Sequence, residues 1–187
     1  HTKQLPDIVQ VNEIGSHLVY DLKITVPYGD LAKKYGYGTS DLMKGIADYY
    51  TIDDKLLSMP FNASAPMLYY NRAMFDEAGL EYPPQTYDTP YVLDGEEVEW
   101  NFDTLQELAK RLTVDVNGND ATSADFDATQ IEQYGYEPTF QDLRAIGSYF
   151  GAGSLVADDN ATAQIPDPWR EAWKWHYENV FTNHVTM

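Results

Sequence analysis

Three polar side chains that follow the first apolar run of the chain are the first candidates for binding a ligand. Residues 6–11 are rich in β-branched side chains, which predicts a short buried strand of the parallel type. Gln10, Asn12 and Glu13 lie at its carboxyl end, and ligands bind at this end of strands in open α/β sheets. The alternative, above all for Glu13, is strand-end polarity that simply faces water.

A second candidate site is the short polar segment between Pro60 and Pro66. Apolar runs flank it, and each proline fixes its own φ and lacks an N–H donor, so neither suits the interior of a central strand. The pattern predicts a strand, an extended crossing segment and a second strand, with Asn62 and Ser64 available to a ligand. An ordinary loop between two strands is the alternative, and these residues alone favour it.

The loop at 115–120 alternates carboxylates and amides, as the beginning of a calcium-binding loop does. The match fails at the sixth position, which is Asp120 instead of glycine, and at the twelfth, which is Phe126 instead of glutamate. A solvated Asn/Asp/Gly turn is the commoner interpretation, so calcium is a minor candidate and no other cofactor is expected. The candidate oxygen ligands are Asp115, Asn117, Asn119 and Asp125, with Asp127 as a substitute.

The side chains that hydrolytic or metal catalysis requires are missing or badly spaced. The chain has no cysteine, and no two of its four histidines stand four residues apart as in a helical metal site. No serine lies in a Gly-x-Ser-x-Gly elbow. Carboxylates are abundant, so a glycoside hydrolase that uses two of them is an alternative, but no carboxylate lies in a clearly apolar setting. The sequence therefore favours a binding protein over an enzyme.

Charge and aromatic content narrow the class of ligand. The chain has 30 acidic and 12 basic residues and a net charge of −18, which repels nucleic acids and anionic membrane surfaces. Aromatic residues make up 14% of the chain, and their flat rings stack on sugar faces as well as filling cores. Carbohydrate is the ligand class that this composition favours. A surface interaction module without a small ligand is the other alternative.

Local signals predict the elements around these candidates. Residues 67–70 read as a strand, and Asn71 begins a helix that ends before Gly79. Asp94 and Gly95 form a two-residue hairpin signal. Asn101 is the N-cap of a helix with an apolar stripe at Phe102, Leu105, Leu108, Ala109 and Leu112.

The last predicted helix begins after Pro166 and carries several large aromatic side chains, Trp169, Trp173, Trp175 and Tyr177 among them. Its helical spacing places Trp175 on the side opposite to the rest of the aromatic face. Aromatic side chains at this spacing are more often core residues than a platform for a ligand. The predicted buried face consists of Trp169, Trp173, Tyr177 and Val180.

Six motifs in this order resemble the extracellular solute-binding proteins of sugar ABC importers, in the family of maltose-binding-protein-like receptors. They are the strand at 6–11, the block at 53–75, the turn at 76–80, the helix at 100–112, the Tyr-Gly-Tyr strand at 134–136 and the helix at 169–180. Together they cover nearly the whole chain.

The resemblance implies an α/β, periplasmic-binding-protein-like architecture with two lobes joined by hinge crossings. Residues 1–61 would form part of the first lobe, 62–65 the crossing and 66–187 part of the second lobe. In such a protein, Gln10, Asn12 and Glu13 face the cleft from the first lobe, and Asn62 and Ser64 line its floor. The segment after the Tyr-Gly-Tyr strand approaches from the second lobe, through Glu137, Thr139 and Gln141.

The resemblance also implies a function and partners. It predicts a non-enzymatic receptor that binds an oligosaccharide and delivers it to the permease of an ABC importer. The location would be extracellular, membrane-anchored or periplasmic, with any lipid anchor outside this chain. Members of the family are considerably longer, so we expect this chain to be an internal fragment that by itself binds sugar weakly or not at all.

Overall fold

The computed structural model describes residues 6–11, 18–38, 40–62, 67–159 and 161–187. The chain divides into two compact units, unit 1 at 1–68 and unit 2 at 69–187. None of the helices in the described ranges is long and apolar enough to cross a membrane.

The described residues of unit 1 include two short helices and a small hairpin. After a helical turn at 18–21, α1 (Tyr28–Tyr35) and α2 (Lys44–Tyr49) precede β1 (Thr51–Ile52) and β2 (Lys55–Leu56), which pair in antiparallel fashion. Gly36 ends α1 with a φ of 71°, a left-handed conformation that glycine adopts readily. The Tyr28 N–H donates to the Leu57 carbonyl at 3.1 Å, which ties α1 to the hairpin. Among the residues of this unit that the structure describes, Ala32 and Leu57 are the buried hydrophobic ones.

Two strands predicted in or beside unit 1 are wrong. Residues 6–11 form no strand, and Ile8 is 89% exposed. Residues 67–70 are likewise without strand structure, and Tyr69 is 86% exposed. A strand needs a hydrogen-bonded neighbour, and every sheet among the described residues is a two-stranded antiparallel pair of adjacent segments. The β-branched composition of 6–11 was therefore not sufficient to make a strand.

The predicted hinge falls mostly on residues 63–65, which lie outside the described residues. The two compact units meet in sequence between residues 68 and 69, a few residues beyond the predicted crossing. The assignment of 62–65 as a hinge stays a prediction.

The first half of unit 2 folds around an apolar cluster, as the local signals predict. It contains α3 (Arg72–Glu77), the antiparallel pair β3 (Tyr91–Leu93) and β4 (Glu96–Val98), and α4 (Phe102–Leu112). The side chains of Asn71 and Asn101 accept N–H groups of Ala73 and Thr104, so both predicted N-caps are confirmed. The buried cluster consists of Phe75, Tyr91, Leu108 and Leu112.

The second half of unit 2 places two helices against each other. It consists of β5 (Val114–Asp115), paired with β6 (Ile131–Gln133), then α5 (Leu143–Tyr149) and α6 (Asp167–Phe181). Gly147 of α5 lies so close to Trp169 that an added Cβ would stand 2.2 Å from the ring.

The predicted buried face of α6 is wrong in part. Trp169 is buried as predicted, but Tyr177 is 59% exposed and Trp175 is only 7% exposed. Trp175 packs its ring against Phe102 at 5.3 Å and Phe150 at 5.8 Å, and its indole N–H donates to the Phe102 carbonyl. Helical spacing gives the relative positions of side chains, but the partners α4 and α5 decide which face is buried.

Candidate functional site

The segment at 137–141 follows β6 and is held in place at its start by close packing. The Gly135 N–H donates to the Thr113 hydroxyl, and a Cβ on Gly135 would stand 2.0 Å from the Ala109 carbonyl oxygen. The Tyr136 N–H donates to the Val185 carbonyl at 3.1 Å. Its ring meets Trp175 edge-on at 5.7 Å, and burial raises the pKa of its phenol.

The end of the segment is fixed by a helix cap. The Asp142 carboxylate accepts the N–H groups of Arg144 and Ala145, at 3.2 and 3.1 Å, and so begins α5. Pro138 is buried within the segment. The backbone of this loop is therefore fixed by hydrogen bonds at both ends and by the buried Pro138 in the middle. Its remaining side chains are exposed.

The exposed side chains of this segment have the chemistry of a polyol-binding surface. Glu137 offers a carboxylate, Thr139 a hydroxyl and Gln141 an amide, and all three residues are exposed. Phe140 lies between the last two and is 58% exposed, so an aromatic face stands among hydrogen-bonding groups. The sequence predicted the three polar residues only through the resemblance and missed Phe140, whose position in the same segment was the available signal.

The other predicted ligand-binding residues belong to unit 1 or lie outside the described residues. Gln10 and Asn62 are described, and both are exposed. Asn12, Glu13 and Ser64 lie outside the described ranges. Their assignment to a ligand site stays a prediction.

The predicted calcium loop is organised around a single buried carboxylate. Oδ1 of Asp115 accepts the backbone N–H groups of Asn117 and Asn119, both at 2.9 Å. Oδ2 accepts the Asn119 side-chain amide at 3.2 Å and the Asp127 backbone N–H at 3.0 Å. Burial by itself would raise the pKa of Asp115, but these N–H donors outweigh it and lower the pKa to about 2.

These four bonds occupy the acceptor positions of the Asp115 carboxylate. Within the described ranges no group of three or more His, Asp or Glu residues is placed to hold a metal ion. Calcium binding at Asp115, Asn117, Asn119 and Asp125 stays an untested prediction. The role that the geometry gives to Asp115 is to fix the loop from 115 to 127.

Two grooves on unit 2 are lined by residues outside the segment at 137–141. One, of about 930 Å³, runs beside β5 and β6 and includes Arg111 and Tyr134. The other, of about 730 Å³, is formed by the loop at 84–90 with Glu99 and Trp100. The sequence did not predict a groove here, although Tyr87 between Pro84 and Pro90 was the available signal.

The fold has a counterpart among solved structures. The crystal structure of UspC from M. tuberculosis, in its monoclinic form, aligns with 86% of this chain and 40% of that chain. The TM-score is 0.53 and the sequence identity is 20%. At this identity the likeness concerns the fold.

Closer sequence relatives are periplasmic binding proteins. The sn-glycerol-3-phosphate-binding periplasmic protein UgpB of Escherichia coli strain K12 is 40% identical over 93 residues, and that of Agrobacterium fabrum is 38% identical over 91. Each alignment covers 46% of this chain and 21% of the relative. The aligned part thus spans about a fifth of the length of these relatives.

A family model described as bacterial extracellular solute-binding protein matches residues 1–184. This range includes all six motifs on which the resemblance depends. Together with the UspC alignment, the match confirms the predicted fold class, α/β and periplasmic-binding-protein-like. The chain therefore belongs to the bacterial extracellular solute-binding protein family.

Proposed function

We propose that this chain is part of a receptor that binds a carbohydrate, an oligosaccharide, outside the cytoplasm and delivers it to the permease of an ABC importer. The observation that carries the proposal is the family match over residues 1–184. The segment at 137–141 supports it, because a fixed backbone presents an aromatic ring and three polar side chains to solvent. The proposed ligand-binding residues are Gln10, Asn12, Glu13, Asn62, Ser64, Glu137, Thr139 and Gln141.

The names of the relatives suggest a second candidate ligand, sn-glycerol-3-phosphate. A phosphate ester carries negative charge and is best held by arginine, lysine or several N–H donors. The eight proposed residues include two glutamates and no basic residue. This charge favours a neutral polyol, whose hydroxyl groups donate to carboxylates and amides, over an anion.

An enzymatic function is the weaker alternative. A glycoside hydrolase needs one carboxyl group whose pKa is raised so that it can act as a general acid. Four carboxylates of the described residues have a displaced pKa, and in each of them the pKa is lowered. These four carboxyl groups therefore lack the raised pKa that a general acid requires.

Isothermal titration of the purified protein against a panel of oligosaccharides, glycerol and sn-glycerol-3-phosphate tests the proposal. We expect at most weak binding of an oligosaccharide, without hydrolysis. The variant Glu137→Gln should weaken that binding by roughly tenfold, which corresponds to about 1.4 kcal/mol, because a charge-assisted hydrogen bond is lost. For an anionic ligand the same variant should bind more tightly, since a repelling charge is removed.

The matched control is Glu171→Gln, which removes an exposed carboxylate on α6 and should leave the affinity unchanged. Tighter binding of sn-glycerol-3-phosphate than of every sugar would contradict the carbohydrate proposal. Release of free monosaccharide during the titration would contradict the receptor proposal itself.

A further inference from the structure

The loop at 84–90 is held firmly although most of its side chains face solvent. The Gln85 side-chain amide donates to the Pro83 carbonyl at 2.9 Å, and Pro83 is buried. The hydroxyl groups of Thr86 and Thr89 bond each other at 2.6 Å across the loop. The loop is therefore fixed before any partner arrives, which lowers the entropy cost of binding there.

The tip of this loop presents an aromatic side chain that has no packing role. Tyr87 is 99% exposed, so its ring has no packing partner in unit 2. Trp100 lines the same groove, and its ring packs against the ring of Tyr91, with centroids 5.7 Å apart. Tyrosine and tryptophan side chains are enriched at the energetic centres of protein interfaces.

The groove and its surroundings carry negative charge. Residues 81–99 contain six acidic residues and no basic residue. Asp88 and Glu99 line the groove itself, and within the described ranges neither forms an ion pair. A cation in the groove would meet two carboxylates that are not already neutralised, together with the faces of two aromatic rings.

We propose that this groove, lined by Pro84, Tyr87, Asp88, Pro90, Glu99 and Trp100, is a docking site for a basic segment of a partner protein. A lysine or arginine side chain of the partner occupies the groove. Its charge pairs with Asp88 and Glu99, and it contacts the rings of Tyr87 and Trp100. The site is independent of the proposed sugar-binding residues, none of which lines the groove.

The test follows binding residue by residue with ¹⁵N-labelled protein in NMR. The probe is a blocked pentapeptide with arginine at its second and fourth positions and glycine elsewhere. We expect saturable shifts of the Trp100 indole N–H and of the backbone N–H groups of Gln85 to Thr89. The matched peptide with citrulline in place of arginine has the same shape without the charge, and it should cause no saturable shift.

Variants distinguish binding of the arginine peptide in the groove from general attraction of the peptide to an acidic protein. Tyr87→Ala and Glu99→Gln should each weaken binding of the arginine peptide at least threefold. Tyr177→Ala and Glu171→Gln alter an exposed tyrosine and an exposed glutamate on α6 and should leave it unchanged. The spectrum of each variant must match that of the unchanged protein away from the altered residue.

Two results would overturn the proposal. Equal shifts with the citrulline peptide would show that charge plays no part in the groove. Shifts spread over acidic residues throughout the chain, weakened equally by all four variants, would show attraction to the net charge of −18 without a site.

Discussion

At the scale of single residues, Asp115 is the clearest case of a side chain that determines local structure. Its carboxylate is fully buried and accepts four N–H groups from three residues of the following loop. These bonds exist only in the folded chain, so they lower the pKa of this carboxyl from its ordinary value of 3.8 to about 2. In the pH range between these two values the unfolded chain binds more protons than the folded one. The contribution of Asp115 to stability is therefore complete above about pH 4 and is lost as the pH falls to about 2.

The variant Asp115→Asn tests this directly, since asparagine has nearly the same size but presents an NH₂ group toward N–H donors. We expect the melting temperature to be lower than that of the unchanged protein above pH 4. The difference between the two proteins should shrink as the pH falls toward 2. Melting curves across this range, with Asp7→Asn as the exposed control, give the measurement. A difference that does not depend on pH would contradict the assigned role.

At the scale of secondary structure elements, the packing of α5 on α6 depends on Gly147. An alanine there would place its Cβ 2.2 Å from Cε3 and Cζ3 of Trp169, a ring that is itself buried. Alanine gains about 1 kcal/mol over glycine in helix propensity, but overpacking in a filled core costs about 1–3 kcal/mol or more. Because the ring would have to move as well, we expect Gly147→Ala to destabilise the protein.

Urea unfolding measures this effect as a lower free energy of unfolding for the Gly147→Ala variant. The control is Gly153→Ala, where an added Cβ would meet no atom within 4 Å. The control should unfold at nearly the same urea concentration as the unchanged protein. Equal stability of the two variants would mean that α5 and α6 are less closely packed than the structure has them.

The hairpin β3–β4 is linked to α4 by an ion pair at its turn. Both terminal nitrogens of Arg111 donate to the Asp94 carboxylate, at 2.7 and 2.6 Å, and Nε donates to Glu107 at 3.2 Å. The hydrogen bond from Arg111 lowers the pKa of Asp94. Since the Arg111 side chain is only 26% exposed, we expect a double-mutant cycle with Asp94→Asn and Arg111→Gln to show favourable coupling.

The comparison for this cycle is Lys174 with Glu178, a single contact of 3.5 Å in which the lysine is 75% exposed. We expect its coupling to be smaller and to vanish at high salt. If the two pairs couple equally, then the planar two-bond geometry of Arg111 adds nothing to a surface ion pair.

The elements also show which features a sequence can predict. The Asp94–Gly95 hairpin and the helices capped by Asn71 and Asn101 formed as predicted, because their signals lie within a few residues of each other. The strands predicted at 6–11 and 67–70 failed, because strand formation depends on a partner that the local pattern does not specify. The prediction of the buried face of α6 was partly wrong for the same reason. Trp175 is buried by contacts with Phe102 and Phe150, which lie outside α6.

The same limit applies to the candidate site. The resemblance implies Glu137, Thr139 and Gln141 as ligand-binding residues; all three are exposed, and their role in binding stays a prediction. Composition alone could not select them from the other polar residues of the chain. The start of the segment is held through Tyr136, whose contacts with Trp175 and Val185 join residues far apart in the sequence of unit 2.

At the scale of the whole chain, the family match confirms the predicted location outside the cytoplasm. The net charge of −18 is distributed unevenly, with six acidic residues and no basic residue between 81 and 99. A protein of this charge attracts cationic partners over distances of about the Debye length, roughly 8 Å at physiological salt. The net charge of the chain repels anionic surfaces, and the acidic residues at 81–99 favour basic partners near the groove around Tyr87.

The last prediction concerns the unequal cores of the two units. Of the twelve buried hydrophobic residues among the described ranges, two belong to unit 1 and ten to unit 2. Burying one further large apolar side chain contributes about 1.5–3 kcal/mol, and ~1.4 kcal/mol changes an opening equilibrium tenfold. Native-state hydrogen exchange should therefore be at least about tenfold faster in unit 1 than in helices of similar length in unit 2.

The helices α1 and α5 are a matched pair for this measurement, with 8 and 7 residues. Helix α1 buries only Ala32, whereas α5 buries Ile146 completely and packs Gly147 against Trp169. The amides of the last turn of α1 should exchange with solvent well before those of α5. If both helices exchange equally slowly, then unit 1 draws stability from something other than its own buried side chains, and core size would no longer explain local stability in this chain.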